Sequence, residues 1–153
     1  MYSTRCSYWK EALSKKSEKI ATLIASCHGK SRDAHYLGYF ECFNRQLFYE
    51  AHDVLEELWL AQRHGPNDGF YKGLIQLAGA FVHLQKNRLG PAGALLRLSR
   101  KYLAPYPLTH EGLNLATVRQ LIDHWLGALE EGGLSRNPLN DQKPPSLIIS
   151  DLQ

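Results

Sequence analysis

The 153-residue chain has only three cysteines. None of them, Cys6, Cys27 or Cys42, stands in a Cys-x-x-Cys arrangement. An odd, unclustered set argues against a disulfide framework and for reduced thiols in a cytosol-like compartment. No apolar run approaches the ~20 residues that a membrane-spanning helix requires, and the N-terminus has lysines without the apolar stretch of a signal peptide. There is no internal repeat, no low-complexity segment and no strong strand period. Ser26, Ser99 and the cysteines have no readable base partner, which leaves nucleophilic catalysis without support. Gly90-Pro-Ala-Gly93 lacks the Gly-Lys-Ser/Thr ending of a phosphate loop. Acidic residues are missing from Gly69 to His110, a stretch that holds Lys72, Lys86, Arg88, Arg97, Arg100 and Lys101. That basic stretch also lacks the interleaved aromatics on which single-stranded nucleic acid stacks. A net charge of +3 is too mild to imply nucleic acid by itself, so nucleic acid is not an expected partner.

What is present reads as one ordinary globular domain. Hydrophobic residues make up 44% and charged residues 22%, and a chain of this length buries about 70% of its unfolded surface, enough for a core without disulfides. Apolar positions recur at helical spacing in six segments, near 4–27, 33–43, 44–62, 70–87, 91–103 and 115–129. The first is a docked surface helix with a stripe of Trp9, Leu13, Ile20, Leu23, Ile24 and Cys27. Glu11 and Glu18 dilute its lysines and weigh against a membrane-surface role. Asn44 is placed to cap the third helix, His64-Gly-Pro-Asn-Asp-Gly69 is a loop, and Pro91 suits the first position of the fifth helix. The expected fold is all-α, a small bundle of about five helices around a central antiparallel pair. The domain spans 1–133 and an extended tail 134–153, in which Leu147-Ile-Ile149 packs back as a strap. Five acids against Arg45 from Glu41 to Glu57, and the acid-free stretch after them, suggest acidic and basic helices lying side by side.

Two polar stripes interrupt this apolar pattern. His52 and Glu56 lie at the edge of the apolar side of the third helix, with Glu50, Asp53 and Glu57 pointing elsewhere. The fourth helix is apolar almost all round, which marks it as central, and its one polar strip is Gln76, His83 and Asn87. Gly73, Gly79 and Ala80 flank that strip and permit close approach of a neighbour. An antiparallel pairing brings His52 and Glu56 opposite Gln76 and His83. Such a cluster suits three roles. His52, Glu56 and His83 are donors for a divalent metal such as zinc or iron, with Gln76 or water completing the shell. Glu56 paired with a histidine is an acid–base couple. A closed hydrogen-bond network that only sets the helix register is the third. His124 beside Trp125 is a packing or surface residue, and Asn87 a helix-end cap.

The residues Phe43-Asn44, Glu50-Ala-His-Asp-Val-Leu-Glu-Glu-Leu-Trp59, Gly73-Leu-Ile-Gln-Leu-Ala78, His83 and Gly93-Ala94 are similar to the signature of the uncharacterised "domain of unknown function 309" family of small bacterial and plastid-lineage chains. The resemblance spans about 41 to 103. Asp53 departs from it where Glu is usual, and Lys86-Asn87 where Gly-Asn is usual. It implies an all-α bundle, and implies Asn44, Glu50, His52, Glu56, Trp59, Gln76 and His83 as its motif residues, without an activity.

Two functions are therefore carried forward. One is an enzyme or metal protein whose catalytic or ligating groups are His52, Glu56 and His83, with Gln76, Asn44, Glu50 and Trp59 binding the ligand. The other is a non-catalytic helical interaction module. A small molecule, a protein partner and a second copy of the chain remain open as partners, in the cytoplasm or, in a eukaryote, the plastid stroma.

Overall fold

The computed structural model describes residues 3–150, with side chains from Lys10 onward. Cys6 and the side chain of Trp9 therefore lie outside the described residues. Six helices dominate: α1 (Ser3–Leu23, followed by a 3-10 turn at Ala25–Cys27), α2 (Ala34–Asn44), α3 (Phe48–Ala61), α4 (Asp68–Gln85), α5 (Leu89–Leu103) and α6 (Leu115–Glu131). Two two-residue strands, β1 (Thr109–His110) and β2 (Leu113–Asn114), pair antiparallel before α6, and a 3-10 turn at Pro138–Asn140 follows it. Strands this short carry no readable period, which is why sequence alone misses them. Their turn places Glu111 and Gly112 both at positive φ, as a two-residue hairpin of the I′ kind demands. Gly112 is required there twice over, because a Cβ would also stand 2.7 Å from the guanidinium of Arg32 and from the Ser150 carbonyl.

The centre of the molecule is α4, whose Phe70, Leu74, Leu77, Ala78, Ala80 and Phe81 are fully buried. A run of rings ties the other helices to it. Phe43 of α2 meets Phe48 of α3 edge-on at 5.0 Å, Phe48 stacks on Phe81 of α4 at 5.1 Å, and Phe81 meets Trp125 of α6 edge-on at 5.0 Å. Each buried ring contributes roughly 1.5–3 kcal/mol of transfer free energy, with edge-on and offset geometries adding to it. The buried Tyr39 hydroxyl of α2 finds its partner on α4, donating to the Leu74 carbonyl at 2.6 Å.

The α3–α4 pair is antiparallel, since Phe48 lies on Phe81 while Trp59 bonds Asp68. The glycine flank of α4 admits α5: a Cβ at Gly73 would sit 2.6 Å from Leu103 Cγ, and Ser99 Oγ donates to the Gly73 carbonyl at 2.7 Å. Three helices end alike. Gln46, Asn87 and Gly133 take positive φ, and the next residue's N–H reaches back to Cys42, His83 and Leu129 in turn, which satisfies carbonyls the helix leaves open.

Several placements differ from the sequence reading. Leu13 of α1 is exposed rather than docked, and among the described side chains of that stripe Ile20, Ile24 and Cys27 are the buried ones. Pro91 is the third residue of α5, not the first; it still costs no helical bond, as first-turn N–H groups have no internal acceptor. Asn44 does not cap α3, whose N-cap is Leu47. Instead its carboxamide clamps the returning tail: Nδ2 donates to the Leu147 carbonyl at 2.8 Å and Oδ1 accepts from the Leu147 N–H at 2.7 Å. With Leu147 buried and Ile149 bridged to Leu113, residues 147–149 do form the expected strap.

Asn44→Ala removes both of those bonds and strands a backbone pair against the core. The expected cost is about 1–3 kcal/mol, read as a fall in melting temperature of about 2–4 °C per kcal/mol. Hydrogen exchange at the Leu147 amide should accelerate in the variant; unchanged protection there would show that Asn44 does not hold the tail.

Candidate functional groove

Helix α3 carries four acids, and each is claimed by another element. Lys19 of α1 pairs with Glu50 at 3.5 Å, and Lys16 of α1 pairs with Asp53 at 3.5 Å and Glu56 at 3.7 Å. His35 of α2 meets Glu57 at 3.1 Å. The cations of α5 look the other way, Arg97 to Glu130 and Arg100 to Asp123 of α6. Acidic and basic helices do lie together as the charge pattern suggested, but the acids of α3 meet α1 and α2, not the basic α4–α5 stretch.

This arrangement surrounds His52. Its Nδ1 lies 3.2 Å from Asp53 Oδ1 and 3.5 Å from Glu56 Oε2, and all its hydrogen bonding among the described residues is at that nitrogen. With two carboxylates beside Nδ1, the neutral ring keeps its proton there and leaves the Nε2 lone pair free. Ring carbon Cδ2 faces α4, 4.0 Å from where a Cβ on Gly79 would be, an ordinary contact distance. Burial works against ionising Asp53, yet the His52 hydrogen bond and Lys16 outweigh it and hold its carboxyl below the ordinary range.

Two adjoining cavities share His52 and Gln76. One, about 230 Å³, is lined also by Glu56, Trp59, Lys72 and Tyr102. The other, about 240 Å³, is lined also by Tyr49, His83, Lys86 and Leu95. Together they make one groove along the α3–α4 seam, closed on its far side by α5. The Lys72 ammonium sits between two rings, 5.4 Å from Trp59 and 5.7 Å from Tyr102, and 3.1 Å from Asp68 Oδ2. The Trp59 indole N–H donates to the other oxygen of Asp68 at 2.9 Å.

The two stripes therefore face one groove, as their spacing proposed, but do not bond to each other. Among the described residues no hydrogen bond joins His52 or Glu56 to Gln76 or His83. The site is partly open, with side-chain exposures of 33% for His52 and 30% for Glu56. Asp53 is the less exposed acid at 16%. The helical wheel of α3 pointed it to solvent, and only the packing of α1 shows otherwise. The ligand atoms that gather within 4.8 Å of one another are those of His52, Asp53 and Glu56, so Asp53 stands where the spacing argument had placed His83. Trp59 and Gln76 line the groove; Asn44, Glu50 and Asn87 do not. Asn87 ends α4 and accepts from Asn137 Nδ2 at 3.3 Å, the cap its sequence position suggested. Lys16, Lys72 and Tyr102 were missed, because nothing in their own helices marks them as groove residues.

His83 has its Nδ1 buried and unpartnered. Desolvation first, then repulsion from Arg88 and Lys86, lowers its pKa below the ordinary 6.5. A base whose folded-state pKa is depressed contributes nothing above the unfolded value and destabilises the fold as pH falls below it. The imidazole of His83 is thus expected to titrate by NMR with a midpoint under 6.5, and His83→Leu should flatten the loss of stability between that value and the folded midpoint. A midpoint at or above 6.5 would contradict the burial of Nδ1.

No solved structure matches the chain. An uncharacterized protein of Aquifex aeolicus (strain VF5) is 29% identical over 105 residues, covering 68% of this chain and 32% of that protein. The chain thus spans about a third of the length of this relative. The family described as "Domain of unknown function (DUF309)" matches residues 36–95, which run from α2 into α5 and hold His52, Asp53, Glu56, Gln76 and His83. Over that segment the chain is similar to the DUF309 family.

Proposed function

We propose that the α3–α4 groove binds a small polar ligand and that His52 is its acid–base group. The observation that carries this reading is the arrangement of one imidazole: Nδ1 engaged by two carboxylates, Nε2 without a protein partner among the described residues, and the residue itself lining both cavities. A histidine kept for packing closes its second nitrogen on a neighbour. Here the carboxylates orient the ring by holding Nδ1, so Nε2 can take a proton from a bound group and return it. Gln76, shared by the two cavities, offers both a donor and an acceptor for positioning. Trp59 and Tyr102 offer an apolar wall for the ligand's body.

A second reading has its own observation. His52, Asp53 and Glu56 hold their ligand atoms within 4.8 Å of one another, a nitrogen–oxygen set acceptable to zinc or a ferrous ion. Lys16 already occupies the charge position between the two carboxylates, and a metal has to displace it. Cobalt(II) titration separates the readings. Ligand-field bands that strengthen in Lys16→Ala and vanish in His52→Leu establish the metal reading.

The ligand reading is tested by protein-observed NMR with small polar fragments. Fragments are expected to shift the Trp59 indole and the Gly79 amide together. His52→Leu should weaken them at least about tenfold, the worth of one charge-assisted contact. Because His52 is a third exposed, the variant should melt within a few degrees of the parent, as surface changes usually do. Fragments that shift only residues outside the groove, or that bind His52→Leu equally well, would overturn the assignment and leave a structural role.

A further inference from the structure

The two halves of the groove are electrically unlike. The Trp59–Tyr102 half includes Glu56 and the Lys72–Asp68 pair. The Tyr49–His83 half has no carboxylate in its lining, which comes from α3 (Tyr49, His52), α4 (Gln76, His83, Lys86) and α5 (Leu95). This is the tertiary consequence of a sequence without acids between Gly69 and His110.

The donors of that half are not matched by acceptors. The Nδ1 of His83 is buried without a donor. A buried unpaired N–H is costlier and rarer than a buried unpaired acceptor, so the ring's proton belongs on Nε2, the nitrogen left to reach the cavity. His83 thus offers an N–H, Gln76 a carboxamide NH₂, Tyr49 a hydroxyl and Lys86 an ammonium. Carbonyls of a helix's last turn ordinarily repel anions, but here they are engaged. The His83 carbonyl takes N–H groups from Lys86 and Arg88, and the Leu84 carbonyl takes those of Asn87 and Asn137 Nδ2.

We propose that this half of the groove receives the anionic group, a carboxylate or a phosphate, of a small ligand, with Lys86 as counter-charge and His83 and Gln76 as donors. The inference rests on the groove being a ligand site, and it divides the labour there: the anion is held by α4, while His52 Nε2 faces a proton-bearing group nearer the middle. Repulsion by Lys86 and Arg88 already disfavours a charge on His83; a bound anion relieves it, and excess cations without a counter-ion are what such a pocket holds when empty of ligand.

Matched probes test this on the full chain. Benzoate, phenyl phosphate and benzamide are titrated against labelled protein, following the Gly79 and Lys86 amides and the His83 ring. At least one anion should bind about fivefold or more tightly than benzamide, the gain of a charge-assisted over a neutral hydrogen bond. Lys86→Gln and His83→Asn should each erase that preference by weakening the anions more than benzamide, and added salt should reduce it. The two anions distinguish a carboxylate site from a phosphate site. If benzamide binds as tightly as both anions, or if neither variant alters the preference, the anion site is wrong while the ligand groove stands. If no probe shifts the groove at all, both readings fall together.

Discussion

Burial of α4 on all sides is the constraint from which the rest follows. A helix with Leu74, Leu77, Phe81 and Leu84 on one flank and Ile75 and Ala78 on the other has no solvent face to offer, so helices must surround it. α3 covers one side through Phe48 and Leu55, α5 another through Leu96 and Leu103, and Trp125 of α6 closes on Phe81. α5 lies tight against α4 because Gly73 and Gly79 make room for Leu103 and Leu95. The polar strip lies where this packing covers α4 incompletely, and the groove is the gap that remains along it.

Electrostatics decides what that gap can do. α3 presents four acids along its length, and three are drawn off by cations of α1 and one by His35 of α2. Exposed pairs of this kind each contribute little to stability. Their effect here is positional: they set Asp53 and Glu56 beside one nitrogen of His52 and leave the other for the groove. Charge opposite in sign gathers at the far end, where α4 runs out into Lys86 and Arg88. The groove therefore has a polarity along its axis that neither helix has alone.

The site is partly open, with a third of the His52 side chain exposed. A closed network would pair His52 and Glu56 with Gln76 and His83 and leave no polar atom spare. Instead the stripes stand apart across a cavity, and each keeps a nitrogen without a protein partner: Nε2 on His52 at the cavity wall, Nδ1 on His83 within the packing. No helix among the described residues is long and apolar enough to cross a membrane.

The helices, their approximate ends and the central place of α4 were legible in the sequence, because amphipathic periodicity and breaker clusters report on burial residue by residue. So was the antiparallel run of α3 and α4 that sets the two polar stripes along one seam, since a six-residue loop leaves two helices little choice; the contact expected between the stripes was not found. What sequence could not supply was anything set by a helix distant in the chain. Asp53 belongs to the site only because α1 folds over that face, Lys72 is caged only because α5 brings Tyr102 beside Trp59, and Asn44 serves the tail because residue 147 returns past it. The direction of a side chain on its own helix follows from the 100° step between residues. What that side chain meets follows from which distant surface needs covering, and only the packed tertiary structure decides that.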